Sequence, residues 1–174
     1  MEDLRYPIGR FEPRPFTVAQ LEEWILDIKY LPNLLENAVL NLDEHQLETP
    51  YRPDGWTVKQ VVHHVADSHM NAYIRFKLGL TEFNPVIKPY DEAAWALLSD
   101  TNNLPINLSL TLLFALHTRW VEVLKHISKA EWDRTVYHPE QKKEITLWNL
   151  LGLYSWHGRH HTMHITNLRE RNNW

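Results

Sequence analysis

Apolar residues recur at spacings of three and four in four long stretches, and this period constrains the fold more than any other feature. The first stretch places apolar side chains at Leu21, Trp24, Ile25, Ile28 and Leu31. Such spacing puts one apolar stripe on each α-helix, and every stripe must be covered by another element. We therefore predict an all-α fold, a four-helix bundle in a single domain over residues 1–174.

Capping residues predict where these helices begin. Thr17 and Thr57 are each followed three residues later by glutamine, which forms a capping box, and Thr146 is expected to cap the last helix. The second helix should end near residue 80 and the last near residue 171. Pro32 is expected to kink or split the first helix before the pattern continues to residue 42.

The remaining segments read as connections. Residues 1–16 contain three prolines and are expected to form an extended arm lying over the bundle. Residues 49–56 predict a loop, residues 91–99 a short helix, and residues 128–131 a capped single turn. Residues 135–145 fit either a small hairpin or an irregular loop.

Composition excludes several classes of protein. The 174 residues carry a net charge of −4 with scattered basic residues, so we expect no nucleic-acid partner. No apolar run approaches the roughly 20 residues of a membrane span, and the N-terminus lacks a signal-peptide pattern, so a cytoplasmic protein without membrane contact is expected. The absence of cysteine excludes disulfides, a thiol nucleophile and thiolate metal ligands.

Four histidines fall within residues 157–164, inside the apolar pattern of the last helix. His157 and His161 share the stripe of Leu150 and Ile165, one turn apart, so both should face the core. A divalent metal would satisfy two such buried imidazoles together. His160 and His164 form a competing pair at the same spacing, but they lie further from the centre of the stripe.

A third ligand should come from another helix. His64 lies at the edge of the second helix's stripe and is our candidate, while His63 points away. Asp67, with Ser68 on the same turn, could orient an imidazole or hold a water molecule. His117, inward on the third helix, could be a fourth ligand, a general base or a hydrogen-bonded core histidine. The other histidines are expected on the surface or in loops: His45, His69, His126 and His138.

The candidate ligands and the missing motifs together limit which class of metal site the chain can form. The chain lacks a His-Glu-x-x-His motif and the Glu-x-x-His pairs of di-iron bundles. We therefore predict one mononuclear divalent ion on His64, His157 and His161, with open positions for water or a small-molecule substrate. His117 and Asp67 are the candidate catalytic residues for proton handling.

The chain resembles the DinB-like superfamily, and within it the YfiT-type metal-dependent hydrolases. The resemblance rests on the stretches 55–69 and 153–165, with shorter matches at 6–9, 75–78, 89–92 and 137–139. Many members of the superfamily end the last motif in Gly-Gln, where this chain has Met163 and His164.

The resemblance implies an up-down-down-up bundle, a zinc or nickel ion and a homodimer. By position it also assigns His64, His157 and His161 as the metal ligands. Because the superfamily includes thiol transferases, a low-molecular-weight thiol of the bacillithiol type is an alternative substrate to water. A non-catalytic bundle stabilised by metal is the second alternative.

Overall fold

Four long helices form a bundle, and shorter elements occupy its connections. The computed structural model describes residues 2–174, with side chains from residue 4 onward. The long helices are α2 (Val18–Val39), α4 (Val58–Thr81), α7 (Asn107–Lys125) and α8 (Leu147–Asn172). The short helices are α1 (Glu2–Arg5), α3 (Glu44–Leu47), α5 (Glu92–Trp95) and α6 (Ser99–Asn103). A 3₁₀ turn (Glu131–Asp133) precedes the strands β1 (Thr135–His138) and β2 (Lys143–Thr146).

The predicted caps are present at the helix starts. Thr17, Thr57 and Thr146 each accept a hydrogen bond from the backbone N–H three residues on. At Thr57 the reciprocal bond from the Gln60 side chain completes the capping box. These bonds satisfy N–H groups that the first helical turn would otherwise leave free.

Pro32 does not split α2, which continues through it and ends at Val39. The apolar pattern predicted a helix that continued to residue 42. A proline lacks the N–H that would bond the carbonyl four residues earlier. Here that carbonyl belongs to Ile28, and it accepts a hydrogen bond from His117 Nδ1 instead, at 2.5 Å. The carbonyl group therefore stays satisfied and the helix continues.

Contacts along the helices give the up-down-down-up connectivity. Trp24 and Leu31 of α2 pack against Gly152 and Gly158 of α8 in the same chain direction, so these helices are parallel. Helix α4 runs antiparallel to α8, because residues 64 and 75 bond residues 157 and 154. It runs parallel to α7, because residues 63 and 69 bond residues 109 and 117.

The N-terminal arm lies along α8, with α1 as one helical turn at its start. Side chains of α8 hold it by three hydrogen bonds to arm carbonyls. Trp148 donates to the carbonyl of residue 14, Trp156 to that of residue 9, and His164 to that of residue 5. The arm therefore runs antiparallel to α8 and covers the histidine-rich part of that helix.

Residues 135–146 form a hairpin, which resolves the alternative left open by the sequence. The turn before it begins where Glu131 accepts bonds from the N–H and hydroxyl of Ser128. Within residues 2–174, none of the helices combines the length and apolar character needed to cross a bilayer.

The apolar core consists of two clusters. One surrounds Trp24, Phe76 and Trp120, and the other surrounds Leu35, Val61 and Ile165. A layer of buried and half-buried imidazoles lies at residues 64–69 of α4 and 157–161 of α8. A polar layer inside an apolar bundle must find internal partners or a ligand.

Candidate metal centre

Three histidines from two helices converge in this layer. The metal triad consists of His64, His157 and His161, whose ligand atoms all lie within 4.8 Å of one another. His64 Nε2 and His157 Nε2 are 3.2 Å apart. Two nitrogens on a tetrahedral zinc ion, each about 2.05 Å from it, would be roughly 3.3 Å apart. The observed spacing therefore fits a shared ion.

A second group of histidines shares one member with the first. The helix-8 triad consists of His160, His161 and His164, also within 4.8 Å of one another. His164 Nε2–H donates to the carbonyl of Arg5 at 3.2 Å, and nearby Arg52 and Arg171 lower the pKa of the imidazole, after burial. Positive charge disfavours a cation here. The metal triad is therefore the better candidate.

Burial keeps the imidazoles neutral, which is the form that binds metal. Desolvation lowers the pKa of His64 and of His117 to about 4. Desolvation, together with neighbouring imidazoles, holds the pKa of His157 and His161 well below 6.5. At neutral pH the metal triad therefore offers three uncharged nitrogen donors.

The expectation that His69 lies on the surface or in a loop is wrong. Its side chain is 0% exposed, and it bonds His157 on one side and His117 on the other. The signal was present in the sequence, because His69 lies four residues after Val65 and three before Ala72. The same spacing that defined the α4 stripe therefore places it inward.

His117 has the geometry of a hydrogen-bonded core histidine, one of its three predicted alternatives. Both of its ring nitrogens are occupied, by the Ile28 carbonyl and by His69. His63 turns away from the triad, as predicted, and bonds Ser109 and the carbonyl of Leu104. Neither imidazole contributes to the metal triad.

Asp67 is separated from the imidazoles. Within the part of the chain that the structure describes, no hydrogen bond or ion pair links its carboxyl to a histidine. Desolvation raises the pKa of this carboxyl to about 6, with a further contribution from Asp100 of α6. Among the described residues, the structure therefore shows no direct link between this carboxyl and the metal triad.

Two connected cavities reach the candidate centre. A cleft of about 930 Å³ is lined by Ser68, Arg75, Tyr90 and His157 among others. A smaller cavity of about 350 Å³ is lined by all members of both triads. The cleft and the cavity share four lining residues: Tyr6, Glu92, Trp156 and His157. His157 is therefore accessible from both sides.

Of the polar groups in the cleft, Ser68 was named from the sequence, whereas Arg75, Tyr90 and Glu92 were not. Arg75 Nη1 donates to the Tyr154 hydroxyl at 2.9 Å, and Ser68 Oγ lies 3.5 Å from His157 Nε2. The Tyr90 hydroxyl is largely buried, and desolvation raises its pKa against an opposing hydrogen-bonding effect of Ser68. Glu92 adds a carboxyl whose pKa is raised by partial desolvation, against an opposing effect of Arg75.

The donor set suits a divalent ion such as zinc or nickel. Three neutral imidazoles leave coordination positions for water or substrate, as catalytic zinc sites do. The fold and the site together define a four-helix bundle with a candidate tris-histidine centre open to a cleft.

The chain belongs to the DinB superfamily, whose family model matches residues 28–165. A Bacillus cereus protein named "Putative metal-dependent hydrolase" is 56% identical over the full length of both chains. A Bacillus anthracis protein of the same name is 55% identical, again over both full lengths.

Solved structures agree on the fold. YfiT from Bacillus subtilis, described as "a probable metal-dependent hydrolase with an unusual four-helix bundle topology", superposes with a TM-score of 0.96. It is 50% identical, with 99% of each chain covered. A mycothiol-dependent maleylpyruvate isomerase shares the fold at a TM-score of 0.66 and 16% identity, over 83% of this chain and 60% of that one.

Proposed function

We propose that the chain is a single-domain metal-dependent hydrolase that acts on a small molecule, with one zinc or nickel ion held by His64, His157 and His161. The observation that carries this proposal is the 3.2 Å approach of two imidazole nitrogens, of which both line the smaller cavity and that of His157 also lines the cleft. When bound, the ion supplies a nucleophile at neutral pH by lowering the pKa of a water molecule to about 7.

The chain's own groups would bind and orient the substrate. Arg75 fixes the Tyr154 hydroxyl, and the Tyr90 hydroxyl, which lines the cleft, would donate to a substrate oxygen. Glu92 lines both the cleft and the cavity, and desolvation raises the pKa of its carboxyl, as is typical of carboxyls that transfer protons. We therefore assign proton handling to Glu92 in preference to Asp67 and His117, neither of which lines these spaces within the described residues.

One observation favours the thiol S-transferase as a second candidate. The cleft and the cavity meet at His157, so the centre could take two molecules at once, as a transferase requires. The chain has no cysteine, so the thiolate would come from a cosubstrate such as bacillithiol.

A paired assay separates these activities. Zinc- and nickel-loaded protein is incubated with p-nitrophenyl acetate and with 1-chloro-2,4-dinitrobenzene, each with and without bacillithiol. Metal-dependent ester turnover without thiol, lost in Glu92→Gln at unchanged metal affinity, supports the hydrolase. Turnover only with thiol supports the transferase, and tight metal binding without either turnover supports the non-catalytic bundle.

The proposal includes a homodimer in the cytoplasm. An exposed apolar stripe on α2, formed by Leu26, Tyr30 and Leu34, is the surface that a second copy could cover. Light scattering after size exclusion tests this part, and a monomer that Leu34→Glu leaves unchanged would contradict it.

A further inference from the structure

Three imidazoles and a backbone carbonyl form one continuous chain of hydrogen bonds through the core. His157 Nδ1 and His69 Nε2 are 3.2 Å apart, and His69 Nδ1 and His117 Nε2 are 3.1 Å apart. His117 Nδ1 ends the chain at the carbonyl of Ile28. We name this chain the histidine relay.

The carbonyl end determines the direction of every bond in the relay. A carbonyl oxygen can only accept, so His117 Nδ1 carries the proton and His117 Nε2 is an acceptor. His69 must then donate from Nδ1, which makes its Nε2 an acceptor. His157 must in turn donate from Nδ1, and its Nε2 is left with a lone pair.

That lone pair is on the nitrogen of His157 that lies closest to His64, another member of the metal triad. His157 Nε2 lies 3.2 Å from His64 Nε2 and 3.5 Å from Ser68 Oγ. A histidine ligand binds metal through an unprotonated nitrogen, and the bond made by its other nitrogen selects this tautomer. The relay therefore presents His157 in the form that can bind metal.

Pro32 explains why the Ile28 carbonyl is available. In an uninterrupted helix this carbonyl would accept from the N–H of residue 32, which proline lacks. His117 is 1% exposed, so its Nδ1 has no access to water and depends on this acceptor. A proline in the first helix and a ligand on the last are thus connected through two core histidines.

We propose that His69 and His117, anchored by the Pro32-freed carbonyl of Ile28, are positioning residues that fix the metal-binding tautomer of His157. The proposal deepens the function proposed above and rests on the metal triad. It assigns a role to two buried histidines that the proposed reaction does not otherwise use.

The first test reads the tautomer directly in the metal-free protein. Long-range ¹H–¹⁵N spectra at neutral pH distinguish protonated from unprotonated ring nitrogens. We expect His157 to be protonated at Nδ1 in the native protein and to become a mixture in His69→Phe. Protonation of His157 at Nε2 in the native protein would overturn the proposal, whether or not the protein is a hydrolase.

The second test measures zinc affinity by competition with a chromophoric chelator. His69→Phe fills the same space without a hydrogen-bond acceptor, and we expect a 10- to 100-fold weaker affinity. His69→Gln keeps both a donor and an acceptor and should recover most of the loss. Affinity unchanged in His69→Phe would show that residue 69 only fills space.

Two further variants complete the comparison. His63→Phe is the matched control, because His63 is a buried histidine of the same helix that bonds outside the relay, and its affinity should stay native. Pro32→Ala restores the competing N–H and should weaken zinc binding less than His69→Phe does, since a carbonyl can accept two bonds. Native zinc affinity together with a native tautomer in Pro32→Ala would remove the anchor from the proposal.

If the native protein binds no zinc or nickel, the proposed function fails, but the tautomer spectrum still decides the relay. If it binds metal and both relay tests are negative, the relay fails while the metal-dependent function stands. The two failures are therefore distinguishable.

Discussion

Replacing His157 by alanine tests which triad binds the metal. His157 belongs only to the metal triad, whereas His160 belongs only to the helix-8 triad. Loss of His157 leaves His64 and His161 on separate helices without the nitrogen that lies 3.2 Å from His64. Removing the hydrogen-bond partner of a ligand typically weakens metal affinity 10- to 100-fold. Removing the ligand itself should weaken it more, so we expect more than 100-fold weaker zinc binding.

The weaker zinc affinity can be measured as a smaller increase in Tm on adding zinc. At a free zinc concentration 100 times the native Kd, binding stabilises the native protein by about 2.7 kcal/mol. For a domain of this size that raises Tm by roughly 5–11 °C. A 100-fold weaker Kd leaves about 0.4 kcal/mol, or a shift of roughly 1–2 °C.

Each variant is compared with its own metal-free form, which cancels any change in intrinsic stability. His160→Ala is the matched control, since residue 160 is a similarly buried histidine of the same helix, and it should keep the native shift. His161→Ala should lose the shift under either assignment and shows that the assay responds. A shift kept by His157→Ala and lost by His160→Ala would refute the choice of the metal triad.

Three other predictions concern stability, pH and Asp67. Gly152→Ala should destabilise the protein by up to about 2 kcal/mol. A Cβ there would lie 2.5 Å from the Trp24 ring, at a cost of about 1–3 kcal/mol, and the higher helix propensity of alanine offsets roughly 1 kcal/mol of this. An increased Tm would show that the indole moves freely. Metal-free protein should lose stability as pH falls from 6.5 towards 4, because the unfolded chain takes up protons that His64 and His117, with pKa values of about 4, do not. The raised carboxyl pKa values of Asp27, Asp67 and Glu92 act in the opposite direction, but these groups are outnumbered by the imidazoles whose pKa is lowered. Urea-unfolding free energies that stay constant from pH 7 to 5 would contradict this prediction. Asp67→Asn should bind zinc with native affinity, and a tenfold loss in chelator competition would place the carboxylate at the metal.

Local signals were sufficient to predict the helices. Threonine caps and helical periodicity depend on neighbours within a few residues, so the starts at Val18, Val58 and Leu147 could be predicted. Pro32 could not be interpreted in this way. Whether a proline splits a helix depends on what satisfies the freed carbonyl, and here the partner is 89 residues away in the chain.

The same limit applies to the site. His64, His157 and His161 could be selected because each lies on or beside an apolar stripe, and the structure brings them together. The bond between Arg75 and Tyr154 joins residues 79 apart, and Glu92 reaches the centre from a one-turn helix in a connection. No local spacing predicts either, because both depend on how the connections fold over the bundle.

The buried imidazoles differ in whether both ring nitrogens have partners among the described residues. His63, His69 and His117 have both ring nitrogens bonded to hydroxyl, carbonyl or imidazole partners within the described residues. His160, His161 and His164 instead each have a buried Nδ1 without a partner, and all three line the smaller cavity. An unsatisfied buried polar group costs about 1–3 kcal/mol, so several together are stable only where a ligand or ordered water binds. The unpartnered nitrogens therefore indicate independently of the triad geometry that a ligand belongs at this end of α8.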